Sequence, residues 1–428
     1  MKALVLSGGG AKGSYQIGVW KALNELNMHF DIVTGSSIGS INAALYAQKK
    51  YRKAKYLWEH VKTTDLFDID IKKDATYRDY HKLITDILKS GGMPFDKAEK
   101  CLRKFIDEDK VRKSKIDYGL VTYSLTTKKP RMLSIKEIPH GKLVDYVAAS
   151  STCYPAISKK VIDGEEFIDG GYYDNLPINL AIDMGATEVV AVKLNGIGIE
   201  QKVNNKEVKI DTIECKDETS FTLNFNKEYA DHMMTKGYND TMKYFSKYDG
   251  NIFTFKKGEI DKNYIKIKDY YIDILKEILL SFEKSKIITE IFNITKYKQI
   301  FTKIDNKGDI SDIILDSLEY LGETFSLDKD KVYKINNYNK QILKEVKELS
   351  YLKLDKSLKG KMLIGYIYNK YMDTKDKQSI YREMFNIALI FQKEFLATVY
   401  LIAISKKYDF ELKDDDYYKE VFTYLRNK

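Results

Sequence analysis

The stretch TGSSIGS, residues 34–40, contains Gly35-Ser36-Ser37-Ile38-Gly39, a G-x-S-x-G match. On a sharp strand-to-helix turn the central serine is strained and its hydroxyl points outward, and small residues two positions to either side let the chain turn. Ser37 is therefore the candidate nucleophile, Ser36 a small turn residue, and Gly35 and Gly39 the residues that permit the elbow. A helix starting behind Ser37 favours developing negative charge, and the amide of Ile38 becomes an oxyanion donor. Such a serine needs a proton acceptor. The chain has five histidines, His29, His60, His81, His140 and His232. Only His232 follows an acid such as Asp169 in the order of an α/β-hydrolase triad, and it lies in a helical pattern without a loop motif. FIDGGYYDNLPI, residues 167–178, offers another base. A strand delivers Asp169, and Gly170-Gly171 let the backbone approach a neighbouring loop. A carboxylate within reach of Ser37 can take its proton directly, and burial would raise the basicity of an aspartate.

GGGAKGS, residues 8–14, has three readings. As G-x-G-x-x-G (Gly8, Gly10, Gly13) it would open a dinucleotide site, but the acidic residue needed after the second strand is missing, since Asp31 precedes that strand. As a P-loop it fails, because Ser14-Tyr15 stand where Lys-Ser/Thr is required. As an oxyanion hole, the turn exposes backbone N–H groups at the positive end of a helix.

These motifs sit on alternating elements. KALVLS (2–7) and FDIVTG (30–35) read as strands. Tyr15, Val19, Ala22, Leu23 and Leu26 recur at helical spacing, as do Ile38, Ile41, Ala44 and Leu45. Strand and helix alternating at this pace imply a parallel sheet covered by helices. Residues 49–115 read as mostly helical. DYGLVTYSLTT (117–127) and RMLSI (131–135) read as strands, and KLVDYVAASS (142–151) as a helix. VIDGEEFIDGG (161–171) reads as a hairpin turned at Asp163-Gly164, and TEVVAVKL (187–194) as a strand buried on both faces. All five prolines lie in the first 180 residues, which places a boundary beyond residue 195. Beyond residue 250 the pattern is helical, with stripes such as Tyr271, Ile274, Leu275, Ile278 and Phe282, or Ile342, Leu343, Val346 and Leu349. Those stripes are bundle core.

At 428 residues the chain suits two domains. Three cysteines without paired spacing (Cys101, Cys153, Cys215) argue for a reducing compartment and against a disulfide framework or zinc site. MKALVLSGGG lacks the form of a signal peptide, and LATVYLIAI (396–404) is too short to span a bilayer, so the expectation is a soluble, cytoplasmic protein. The net charge of +9 is concentrated. Residues 49–142 carry about 24 Lys and Arg against about 14 Asp and Glu. Such a region attracts anionic surfaces, and contact with an anionic membrane surface is expected of it rather than nucleic acid.

SGGGAKGSYQIGV (7–19), GSSIG (35–39), AASSTCYPAI (148–157) and DGGYYDNLP (169–177), in this order, resemble the patatin-like phospholipase family. The resemblance covers roughly residues 1–195 and continues weakly to about 245. It implies a three-layer α/β/α sandwich with a mainly parallel sheet over 1–245 (core 1–195, basic helical insert about 49–115). It leaves 250–428 as an all-α accessory domain of unknown role. It implies a Ser37–Asp169 dyad without histidine and an oxyanion loop at Gly8, Gly9, Gly10 and Gly13. Lys12 falls on a basic position of that loop and receives no catalytic role. It further implies hydrolysis of acyl esters of lipids through an acyl-serine intermediate, with no metal and no organic cofactor. The rival is a non-enzymatic nucleotide- or lipid-binding module built on the glycine loop.

Overall fold

A computed structural model describes residues 1–68, 85–87, 89, 91–216, 223–283, 307–349, 359–375 and 377–412. The remainder of the expected 49–115 insert, residues 69–84, 88 and 90, lies outside the described residues. The chain forms two compact units, Met1–Phe245 and Ser246–Lys428.

In the first unit, β1 (Lys2–Leu6) leads through a 3-10 turn (Gly10–Gly13) into α1 (Ser14–Glu25). β2 (Ile32–Ser36) leads into α2 (Ile38–Ala47). Among the described residues that follow are α3 (Tyr51–His60), α4 (Thr63–Leu66), α5 (Asp96–Phe105) and α6 (Glu108–Arg112). Then come β3 (Asp117–Ser124), β4 (Lys129–Ser134), α7 (Leu143–Ser150), β5 (Lys160–Ile162) and β6 (Glu165–Asp169). The unit closes with α8 (Ile178–Asp183), β7 (Glu188–Lys193), β8 (Lys209–Glu214) and α9 (Lys227–Tyr244).

The sheet runs β5-β6-β3-β2-β1-β7-β8, with β4 also on β3. β1, β2, β3, β7 and β8 are mutually parallel, and β4, β5 and β6 add antiparallel pairs. Strand alternation feeds two cores. Leu4, Leu6, Val33, Val190 and Val192 join Tyr15, Val19, Ile41 and Ala44 on one face. Ala3, Val5, Ile32, Val189 and Ala191 join Ile178 and Ala181 of α8 on the other. Apolar residues on both faces are what a sheet sandwiched between helix layers requires. The β5–β6 hairpin turns at Asp163 and Gly164, both at positive φ (49° and 83°), as a two-residue loop needs. β8, KIDTIE, was not marked by apolar alternation; it is an edge strand recruited by the free side of β7.

The second unit is built from α10 (Glu259–Glu283), α11 (Lys307–Thr324), α12 (Ile335–Glu348), α13 (Gly360–Asp373), α14 (Lys377–Ile390) and α15 (Gln392–Leu412). It also holds a small sheet of β9 (Tyr248–Asp249), β10 (Thr254–Lys256) and β11 (Val332–Tyr333). These strands are two or three residues long, too short for a period-2 signal. LATVYLIAI lies in α15 with Ala397 through Ile404 buried on every side, which is the signature of a central core helix. Among the described residues no helix is long and apolar enough to cross a membrane.

Candidate active site

The register of β3 builds the site. Gly119 pairs with Thr34 of β2 and Ser134 of β4, so those two strands lie on opposite edges. Thr122 pairs with Arg131 of β4 and Asp169 of β6. β2 and β6 therefore share one edge of β3. They run in opposite directions along it, and each stops where the other stops: Ser36 pairs with Val121, and Asp169 with the next residue, Thr122. The strand ends meet head-on, which brings Ser37 to Asp169. The fit is tight, since a Cβ on Gly170 would lie 2.6 Å from Ser36 Oγ and would collide with the Val121 carbonyl.

Ser37 has φ 53° and ψ −130°, left-handed backbone in a non-glycine residue. Such strain persists only where the surroundings over-determine it. The Ser37 N–H donates to Ser150 Oγ at 3.0 Å, and Ser150 Oγ–H donates to the Val121 carbonyl at 2.7 Å. Ser40 returns both its N–H (2.9 Å) and its hydroxyl (2.7 Å) to the Ser37 carbonyl. A Cβ on Gly39 would run into the Leu6 carbonyl, and one on Gly35 into the Gly39 backbone. Both motif glycines are thus required by close approach.

Asp169 is buried. Its Oδ1 accepts the Gly171 N–H at 2.7 Å, and its own N–H donates to the Thr152 carbonyl at 2.9 Å. Burial pushes its carboxyl up to about 6, against a smaller lowering by the Ser37 hydroxyl and the Gly171 N–H. A carboxylate poised near 6 is ionised at neutral pH yet basic enough to accept a proton.

The glycine loop divides by role. Gly9, Gly10, Ser37, Ile38 and Asp169 line one cavity. Gly8 and Gly13 are not among its lining residues. The Gly8 N–H is spent on the Asn175 carbonyl at 3.1 Å, and Gly8 is bare because a Cβ would sit 2.9 Å from that of Ser37. Gly13 is buried beneath α2 and α3, where a Cβ would lie 2.6 Å from Ile38 Cγ1 and 2.8 Å from the Trp58 ring. A polar chain fixes the loop: Gln16 donates to the Ser7 carbonyl, Asn42 to the Gly13 carbonyl and to Gln16 Oε1, and Trp58 Nε1 to Asn42 Oδ1.

The cavity has a volume of about 480 Å³. Its polar end holds the residues above with Gly171 and Asn175. Its walls are apolar: Leu57 and Trp58 of α3, Leu66 of α4, Ala98 and Leu102 of α5, and Phe67, Phe95 and Phe225. Cys101 and Cys153 also line it, and burial pushes the Cys153 thiol up to about 11. All three cysteines are free thiols.

No described histidine lines the cavity. His29, His60 and His140 are exposed, His232 lies in α9, and His81 is outside the described residues. Among the described residues no group of three or more metal-ligating side chains occurs. Sequence reading missed Ser150, Thr152 and Asn175 as positioning residues. The first two fall in AASST, and Asn175 follows the Asp-Gly-Gly motif, but nothing local says that Ser150 holds Ser37 while Thr152 holds Asp169.

Residues 4–182 match the family model described as patatin-like phospholipase, and this segment is a patatin-like domain. Mouse patatin-like phospholipase domain-containing protein 6 is 33% identical over 198 residues, which is 44% of this chain and 13% of that protein. Lysophospholipase nte1 of Aspergillus terreus is 30% identical over 200 residues, 45% of this chain and 12% of that protein. This chain thus spans a small part of the curated relatives it matches. Among solved structures, VipD from Legionella pneumophila aligns over 94% of this chain and 90% of that one, at TM-score 0.36 and 14% identity. A likeness that loose bears on neither activity nor partners.

Proposed function

We propose that the unit Met1–Phe245 is a serine acyl hydrolase. It cleaves carboxylic esters of membrane lipids, in the manner of a phospholipase A or lysophospholipase, through a Ser37–Asp169 dyad and an acyl-serine intermediate. One observation carries the reading. A strained serine and a buried carboxylate with raised basicity meet at the polar end of a cavity whose walls are otherwise apolar. Counting about 30 Å³ per water-sized unit, the cavity has room for on the order of 16 methylenes, the scale of one long acyl chain. The apolar walls, like the missing acidic residue after β2, speak against a nucleotide.

The chemistry follows from the residues. Asp169 accepts the Ser37 proton as Oγ bonds to the acyl carbonyl carbon. Negative charge gathers on the carbonyl oxygen, where the amides of Gly9, Gly10 and Ile38 are the available donors. The intermediate collapses, the C–O bond to the alcohol breaks, and the alcohol leaves with the proton from Asp169. A water molecule then gives its proton to Asp169 and attacks the acyl-serine. Fatty acid departs and the proton returns to Ser37 Oγ. No step calls for a metal or an organic cofactor.

A fluorophosphonate probe tests the nucleophile. Wild type should label at Ser37 and hydrolyse acyl esters, and Ser37→Ala should lose both, with kcat down by at least about 10³-fold. Near-wild-type turnover by Ser37→Ala would refute the dyad, and so would saturable nucleotide binding by an unlabelled wild type.

A further inference from the structure

The cavity reaches the surface through a rim that is apolar where a soluble surface would be polar. Tyr172, Ile197 and Ile199 line the cavity and are nevertheless 42%, 92% and 55% exposed. Tyr154, beside cavity-lining Cys153, is 40% exposed. Single exposed apolar residues need no explanation, but a cluster around one opening marks an interaction site.

The loop that carries the isoleucines is held, not loose. The Ile199 N–H donates to the Gly171 carbonyl at 2.8 Å, and the Asn175 N–H donates to the Ile199 carbonyl at 2.6 Å. A Cβ on Gly196 would lie 2.7 Å from the Gly8 carbonyl and from Gly9 Cα, so the loop is packed down on the glycine turn. The backbone on both sides of Ile197 is thus held, and its side chain stays exposed. Gly171 accepts from Ile199 through its carbonyl and donates to Asp169 through its N–H, so one residue ties the rim to the dyad.

None of the four rim side chains carries a charge, and two cations near them in sequence are engaged, Lys193 with Glu200 at 2.8 Å and Lys159 with Glu166 at 2.6 Å. Isoleucine side chains with flanking tyrosines suit the boundary between headgroups and acyl chains.

We infer that Tyr154, Tyr172, Ile197 and Ile199 form a membrane-docking rim that inserts into the surface of a phospholipid bilayer. The cavity mouth then opens onto the acyl region, and a chain reaches Ser37 without crossing water. The inference deepens the hydrolase reading by naming how lipid enters. It differs from electrostatic attraction to the basic 49–142 segment, because an uncharged rim binds zwitterionic lipid and ignores salt.

The full chain carrying Ser37→Ala, which leaves the vesicles intact, is mixed with phosphatidylcholine vesicles. In the Ile197→Trp form, nitroxide-labelled phosphatidylcholine should quench the new tryptophan and its emission should shift to the blue. Ile197→Ser with Ile199→Ser should weaken vesicle binding by on the order of tenfold or more at low and high salt alike. Unchanged melting would show that the double variant folds. Three results would overturn the inference: vesicle binding without quenching at position 197; binding that requires anionic lipid and vanishes in high salt, which would move docking to the basic segment; or no binding, with a dimer that Ile197→Ser dissolves. Fluorophosphonate labelling of wild type without vesicles reports the dyad separately, so failure of docking and failure of the hydrolase reading are told apart.

Discussion

Replacing Asp169 by Asn should abolish catalysis and stabilise the fold, with the gain confined to neutral and alkaline pH. Burial holds the Asp169 carboxyl at about 6 against an ordinary 3.8. A group whose pKa is raised on folding contributes its stability in full below the unfolded value. That contribution is lost as pH rises through the folded value, because the native state binds more protons in between. A shift of this size corresponds to about 3 kcal/mol. Asn keeps an oxygen for the Gly171 N–H but gives up a charge-assisted bond, so a net gain of about 2 kcal/mol at pH 8 is expected. For a unit of this size that is roughly 4–8 °C in Tm. Urea denaturation of wild type and Asp169→Asn at about pH 4.5 and about pH 8 measures it, with the two-unit chain monitored for separate transitions. Asp174, also buried and also pushed up to about 6, is common to both proteins and cancels. In wild type, kcat/KM should fall about tenfold per pH unit below about 6, as the base is protonated. A stability difference that does not change with pH would refute the argument, because the carboxyl would then carry no desolvation penalty.

Gly39→Ala should lose about 3 kcal/mol or more, read by urea denaturation, because its Cβ meets the rigid Leu6 carbonyl. Ala98→Phe should narrow the cavity. Its kcat/KM for long-chain esters should fall on the order of tenfold relative to short-chain esters, and equal loss for both would remove α5 from the acyl wall. His232→Ala should leave kcat within about twofold, since α9 puts no side chain into the cavity; a large loss would revive a triad.

What the sequence disclosed was local. The elbow at Gly35–Gly39, the Asp163-Gly164 turn and the strand that ends at Asp169 each have a short-range chemical reason, and each lies where that reason puts it. What it concealed depends on partners distant in the chain. Gly8 looks like an oxyanion donor until Asn175 takes its N–H. Ser150 looks like one small residue among several until its hydroxyl is found under Ser37. β8 carries no alternation because only one of its residues, Ile213, is buried. The cavity is assembled from eight separate stretches of chain, and no window of sequence contains it.

The separation of Ser37 and Asp169 in the chain is explained by β3. Since β2 and β6 abut along one edge of that strand, the Ser37–Asp169 contact depends on the register at Val121 and Thr122 and not on the length of chain between them. Slipping β6 by one residue would send the Asp169 side chain to the opposite face. The Thr122 hydroxyl, which donates to the Ile168 carbonyl at 2.8 Å, and the Asp169 N–H bond to Thr152 both resist that slip. Helices inserted between β2 and β3 carry no such constraint. They are free to differ in length and composition, and in this chain α3, α4 and α5 use that freedom to wall the apolar cavity. On the proposed reading, the geometry of the Ser37–Asp169 pair therefore rests on the sheet, and the choice of acyl chain on the insert. Substitutions in the insert should accordingly alter which ester is cleaved before they alter whether Ser37 reacts.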